Sequence, residues 1–211
     1  MRSRLASARL YAILDLGYTP AADLENVASQ LLDGGADLLQ LRAKGHEPEE
    51  IEDFARRVQP LCREAGVPFI VNDFPDIAVR AGADGVHIGQ DDGSLLEVRK
   101  IVGADMIVGR STHSPDQARA AVAEGFDYIG FGPLFPTPTK LGRPGIGLEN
   151  VRAIEAEVGS AIPLFCIGGI KRANLAEVVA AGARRVVIVS DLLTAPDITK
   201  AVRAARGTIA P

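Results

Sequence analysis

The chain has 211 residues, 47% of them apolar and 24% charged. That is the balance of a soluble globular protein, long enough to bury a large core without disulfide or metal staples. The net charge of −4 comes without a basic run, which argues against a nucleic-acid partner, and no apolar stretch reaches the length of a membrane span.

The opening MRSRLASARL carries early arginines but no apolar core of signal-peptide length. The first strand signal is LYAILD at 10–15. DLENVASQLLDGG then shows helical spacing, and GADLLQL from Gly35 predicts the second strand. PFIVND (68–73), GADGVHI from Gly82, MIVGRS (106–111), GFDYIGF from Gly125, PLFCIGG (163–169) and GARRVVIV from Gly182 supply six more. The runs are short and continuous, as in strands buried on both faces. Four of them open on a repeated glycine, which suits the left-handed residue that ends a helix. Helical patterns such as NLAEVVAAGA separate them. Ser114 is expected as an N-cap, with Pro115 and Asp116 in the first turn of that helix, and Asp91 as the N-cap of another. Eight alternating β and α units predict a single (β/α)₈ TIM barrel domain over 1–211. A doubly wound sheet would place G-x-G-x-x-G after the first strand, where this chain has DLGYTPAADLE. Cys62 and Cys166 stand far apart without CxxC spacing, so a reduced, cytoplasmic protein is expected.

In such a barrel the active site lies where the strands end. Strand two ends in Gln40, Arg42 and Lys44; strand three in Asn72 and Asp73; strand four in the segment Gly89 to Asp92. Strand five ends in Arg110, Ser111, Thr112 and His113, and strand six runs into FGPLFPTPTK, 131–140. That loop carries three prolines, two threonines and a lysine. Each proline fixes φ, removes a donor and extends the residue before it, so the loop offers few, well-placed donors. Strand seven ends in Gly168 and Gly169, strand eight in Ser190 and Asp191. Arg42, Lys44 and Lys140 are cations suited to phosphate. Asp73 and Asp92 are hard carboxylates on adjacent strands, which predicts Mg²⁺ shared with substrate phosphates. Gly168, Gly169 and Ser190 follow strands seven and eight, where this fold binds phosphate through backbone N–H groups. Taken singly, each feature has an ordinary explanation: a solvated basic loop, a tight turn, a cap. His87, inside strand four, is expected to be a packed histidine, and Cys166 an apolar filler.

QLRAK, ND, ADGVHIGQDD, STH, DYIGFGPLFPTPTK, IGGI and VS, in this order, resemble thiamine-phosphate synthases over nearly the whole chain. Enzymes of that family join a hydroxymethylpyrimidine diphosphate to a thiazole phosphate, giving thiamine monophosphate and diphosphate. The resemblance implies that the run Gln40, Leu41, Arg42, Ala43 and Lys44 binds the pyrimidine diphosphate, with Asn72 and Ser111. It places Mg²⁺ on Asp73 and Asp92. It assigns Thr137 and Thr139 to the thiazole phosphate, with Pro138 between them, and Lys140 to the diphosphate. Gly169, Val189 and Ser190 complete the thiazole-phosphate site. Arg42, Lys44, Lys140 and Ser111 form the implied catalytic group. The implied partners are the two small substrates, with neither nucleic acid nor membrane, and a homodimer is allowed. Two positions depart from the pattern: Phe74, where many members have arginine, and Asp191, where a small residue is expected.

Two alternatives stand beside this one. Thiazole tautomerases share the barrel but carry histidine where this chain has Pro133. A non-catalytic phosphate sensor on an old enzyme scaffold would have lost some of the metal or diphosphate residues, and all of them are present here.

Overall fold

The computed structural model describes residues 2–137 and 144–209. Eight parallel strands pair in chain order: β1 (Leu10–Asp15), β2 (Leu38–Arg42), β3 (Phe69–Asn72), β4 (Gly85–Ile88), β5 (Ile107–Thr112), β6 (Tyr128–Phe131), β7 (Leu164–Cys166) and β8 (Val186–Ile188). β8 closes on β1 through Leu10↔Val186 and Tyr11↔Val187, so the expected (β/α)₈ barrel is what forms. Helix α1 (Arg2–Ser7) lies under it. The outer ring comprises α2 (Leu24–Asp33), α3 (Pro48–Ala65), α4 (Pro75–Arg80), α5 (Leu95–Val102), α6 (Pro115–Glu124), α7 (Val151–Glu157) and α8 (Leu175–Ala180). A short α9 (Ser190–Leu193) follows β8, and α10 (Ile198–Ile209) ends the fold. No helix among the described residues is long and apolar enough to cross a membrane.

Strand residues alternate between two apolar cores, as the pleat requires. Leu10, Ala12, Leu14, Leu39, Leu41 and Val71 pack outward against the helices. Tyr11, Ile13, Leu38, Ile70, Ile107, Tyr128, Phe165 and Val187 fill the lumen, and Leu5 of α1 joins them from below. A Cβ on Gly109 would lie 2.1 Å from Tyr128 Cζ, so glycine at this inward position admits the large ring of its neighbour.

The glycine-led repeat has a structural cause. Gly35, Gly82, Gly125 and Gly182 all have positive φ. Two residues after the first three stand Asp37, Asp84 and Asp127. Their carboxylates accept from the N–H groups of Leu10, Phe69 and Val108, at 3.0, 2.9 and 2.8 Å. Each aspartate thus clasps the start of an even strand to that of the odd strand before it. The fourth repeat has Arg184 at this place.

Ser114 caps α6, accepting from Gln117 N. Asp91 does not cap α5. Gly93, at φ 100°, reverses the chain first, and Ser94 with Glu97 forms a reciprocal capping box three residues further on.

On the lower face, Glu155 of α7 is 3% exposed and faces Arg185 at 3.4 Å, while its Oε2 has no hydrogen-bond partner among the described residues. Burial pushes its carboxyl up to about 6, against the pull of Arg185 and Arg184. The protonated form is therefore favoured by folding. Its stabilisation is full below the unfolded value of 4.5 and is lost as pH rises through the folded value, about 2 kcal/mol in all. Glutamine imitates the neutral form. Glu155→Gln should exceed the wild type in stability by about 1–2 kcal/mol at pH 7.5, with the gap closing near pH 4.5. Urea denaturation at the two pH values measures it.

Candidate active site

Where the lumen turns polar, the side chains at the upper strand ends line one cavity. It is walled by Gln40 and Arg42 of β2, Asn72 of β3, His87 of β4, Ser111 of β5, and Ile167 to Ile170, with Val189 and Ser190 beyond β8. Gly132, Pro133 and Thr137 close it from the loop after β6. Gln40, Arg42, Asn72, Ser111, Thr137, Gly169, Val189 and Ser190, scattered over 150 residues of sequence, therefore meet in one place. Leu41 and Ala43 do not join them. They are 1% and 5% exposed in the outer core, because the pleat turns them away while it turns Gln40 and Arg42 in. Pro138, Thr139 and Lys140 lie outside the described residues.

Arg42 is aimed by a residue outside the expected rim set. Asp15, the last residue of β1, is 1% exposed. Its Oδ2 takes a hydrogen bond from Arg42 Nη1 at 2.6 Å, and its Oδ1 takes one from Gly17 N at 2.9 Å. LYAILD ends on this aspartate just as the other runs end on polar residues, and that position was the available signal.

Beneath the cavity a chain of hydrogen bonds crosses the lumen. Gln40 Nε2 donates to the Tyr11 hydroxyl, which lies 3.0 Å from that of Tyr128. Tyr128 reaches His87 Nδ1 at 3.1 Å, and His87 Nε2 reaches Ser111 Oγ at 3.0 Å. Both phenols are fully protonated at neutral pH, since burial raises them well above their ordinary range. His87 is thus packed and hydrogen-bonded, as expected, and also lines the cavity. In the sequence, Tyr11 and Tyr128 sit inside apolar runs, which hides them as polar groups. His113, also on the cavity wall, places Nδ1 against the Gly132 carbonyl.

The acidic pair stands at the β3–β4 edge. Asp73 has φ 65°, the one non-glycine positive φ among the described residues. Its Oδ2 lies 3.2 Å from Lys44 Nζ. Burial pushes its carboxyl up, Lys44 pulls it down, and the neighbouring Asp92 carboxylate pushes it up again. Asp92 Oδ2 accepts from Gly89 N at 2.6 Å. Among the described residues no group of three or more His, Cys, Asp or Glu side chains gathers as a metal cage. Two mutually repelling carboxylates beside a lysine fit Mg²⁺, which takes one or two protein carboxylates and completes its shell with water and phosphate.

The loop after β6 is docked, not free-standing. Leu134 N and Phe135 N donate to the carbonyls of Ile167 and Gly168, at 2.8 and 3.0 Å. Beyond the gap in the described residues, Ile146 N and Gly147 N return to Pro133 and Leu134, at 2.8 and 3.1 Å. Gly168 and Gly169 have φ of 97° and 65°, and a Cβ on either would lie 2.3 Å from Pro133 or 2.7 Å from Phe135. The double glycine admits the loop as well as facing the cavity. Of the two departures, Asp191 ties this edge together: it accepts from Arg172 Nε at 2.7 Å and Arg172 N at 3.0 Å. Burial raises its carboxyl, but those Arg172 donors outweigh this and hold it below its usual range. Phe74 packs against the outer core.

A (β/α)₈ barrel whose upper rim gathers an arginine, a carboxylate pair and backbone beyond strands seven and eight is a phosphate-handling enzyme in architecture. Residues 10–192 match the family model described as thiamine monophosphate synthase, and the chain belongs to that family. It is 44% identical over 200 residues to the thiamine-phosphate synthase of Thermus thermophilus, covering 94% of this chain and 95% of that one. The Mycolicibacterium vanbaalenii thiamine-phosphate synthase is 47% identical over 204 residues, covering 92% and 90%. A longer relative from Gloeobacter violaceus is 43% identical, but the match spans 56% of that protein. The solved thiamine phosphate pyrophosphorylase from Pyrococcus furiosus superposes with a TM-score of 0.86 at 32% identity, covering 99% of this chain and 96% of that one. The likeness to 3-hexulose-6-phosphate synthase, 18% identical at a TM-score of 0.69, shows the barrel alone.

Asp15→Ala removes the carboxylate that aims Arg42. The expected cost is about 1.5–3 kcal/mol of stability, the range for a hydrogen bond to a charged group. Urea denaturation measures it. Asp15→Asn keeps one of the two acceptor oxygens and turns an amide NH₂ towards the other donor, so it should recover less than half of that loss.

Proposed function

We propose that this chain is a thiamine-phosphate synthase, joining 4-amino-2-methyl-5-hydroxymethylpyrimidine diphosphate to 4-methyl-5-(2-phosphoethyl)thiazole. The observation that carries this is the single cavity in which Arg42, Gln40 and Ser111 face Gly169, Val189 and Ser190 across the barrel mouth, in a chain of that family. Such a cavity has one anion-binding side on β2 and another beyond β7 and β8.

The bond between the pyrimidine methylene and the diphosphate oxygen breaks, and its electron pair leaves on diphosphate. The lone pair of the thiazole nitrogen then forms the new C–N bond to the methylene. No proton has to be removed from either reacting atom, and no aspartate or glutamate stands among the described residues that line the cavity. Arg42, held by Asp15, binds the diphosphate and gains strength as charge collects on it. Lys44 adds a second cation beside Asp73. Gln40 and Ser111 orient the pyrimidine. Thr137 and the backbone at Gly169 and Ser190 receive the thiazole phosphate, so that binding both ends aligns nitrogen with methylene. Asp73 and Asp92 would hold Mg²⁺. When bound, that ion supplies charge neutralisation to the departing diphosphate. Pro133 on the cavity wall supports synthase over tautomerase, which would need a histidine there. Cys62 and Cys166 are buried and free, in keeping with a cytoplasmic setting.

Protein, Mg²⁺ and both substrates should yield thiamine monophosphate and diphosphate in equal amounts, detected by mass spectrometry. Absence of product, or hydrolysis of the pyrimidine diphosphate alone, would overturn the assignment. Removing divalent metal with EDTA should cut the rate by roughly 100-fold or more, since the ion's share of the barrier is several kcal/mol. Asp92→Ala should show a similar loss, partly recovered at high Mg²⁺.

A further inference from the structure

We propose that the chain Gln40–Tyr11–Tyr128–His87–Ser111 holds His87 as the neutral tautomer protonated on Nε2, and thereby presents the Ser111 hydroxyl to the cavity as a proton donor. Tyr11 and Tyr128 are then positioning residues for the pyrimidine, although neither need touch its reacting atoms. The identity of that substrate rests on the synthase reading above.

The direction follows from counting protons. A phenol has one proton to give, and a serine hydroxyl likewise. The Gln40 amide nitrogen can only donate, and it donates to Tyr11. The Tyr11 proton is therefore left for Tyr128, 3.0 Å away. Tyr128 has then accepted, and its own proton points to His87 Nδ1 at 3.1 Å. An Nδ1 that accepts carries no hydrogen, so the neutral ring keeps its proton on Nε2 and gives it to Ser111 Oγ at 3.0 Å. Ser111 accepts at its oxygen and has its proton available for the cavity it lines. Neither phenol offers an ionised alternative, because burial raises both.

The five residues come from β2, β1, β6, β4 and β5, so barrel closure itself sets the spacing. Tyr128 takes its place only because Gly109 on the neighbouring strand has no side chain. Edge-to-face packing of Tyr11 with Tyr128 and Phe165, at centroid distances of 5.9 and 5.3 Å, fixes the rings. A donor at Ser111 matches the lone pair of a ring nitrogen, which an aminopyrimidine offers. The rigid chain below would keep that hydroxyl from spending its proton on His87.

Two measurements test this. The first is the long-range ¹⁵N–¹H spectrum of the substrate-free protein, with the His87 signals assigned among the three histidines by a His87→Gln variant. The expected pattern is a protonated Nε2 and a bare Nδ1, and loss of that single tautomer in Tyr128→Phe. A proton on Nδ1 in the wild type, or an unaltered tautomer in the variant, overturns the proposal. The second is steady-state kinetics. Tyr128→Phe and Tyr11→Phe should each raise KM for the pyrimidine diphosphate about tenfold, one hydrogen bond's worth, and leave KM for the thiazole phosphate in place. Both constants unchanged, or both raised alike, overturns it. Should Tyr128→Phe fail to fold, Tyr11→Phe carries the kinetic arm and the wild-type spectrum still decides the tautomer. If the wild type makes no thiamine monophosphate, the synthase reading falls, while the spectrum judges the hydrogen-bond chain independently.

Discussion

Closure of β8 on β1 is the constraint from which the site follows. A closed parallel barrel sends every second side chain into a lumen too narrow for bulk water. Low in the lumen those positions are Leu38, Ile70, Ile107, Phe165 and Val187, and burial alone is enough. One level higher they are Gln40, His87 and the two tyrosine hydroxyls, and a polar atom there has to find a protein partner or cost free energy. With Ser111 they form one hydrogen-bonded chain across five strands. Higher still, Arg42 reaches the cavity with its guanidinium already held by Asp15. The floor of the active site and the top of the core are thus the same residues.

The upper edge obeys a different rule. The chain beyond β6 continues the sheet by pairing with Ile167 and Gly168, and this is feasible only because two successive glycines leave room for proline and phenylalanine backbone. A run that looks like a phosphate-binding turn is simultaneously a packing surface. Asp191, at a position where a smaller residue is expected, binds Arg172 and braces the same edge from the far side.

Much of this was legible in the chain itself. The eight strands show as short apolar runs, the repeat marks every second one, and the polar residues at the run ends mark the rim. What was hidden is which way each side chain points. Strands buried on both faces carry little alternation of polarity. The end of β2 is an exception: residues 40 to 44 alternate polar and apolar, so the pleat alone sets Leu41 and Ala43 apart from Gln40, Arg42 and Lys44, although the resemblance takes all five as one substrate-binding run. Asp15 needed its partner 27 residues away before it could be recognised as part of the rim. The aspartates of the repeat were visible as a pattern, but their cause, the N–H at the start of the preceding strand, belongs to the folded sheet. Asp91 shows the limit of local rules: an acidic residue before a helix is a plausible cap until a glycine turn shifts the start to Ser94.

The chain has no tryptophan and three tyrosines. Two of those three, Tyr11 and Tyr128, form the floor beneath the cavity. The protein's near-ultraviolet absorption, circular dichroism and intrinsic fluorescence therefore originate largely in the ground on which the substrates stand. The packing of the lumen has thus installed an optical probe at the site, coupled through hydroxyl hydrogen bonds to Gln40 on one side and His87 on the other.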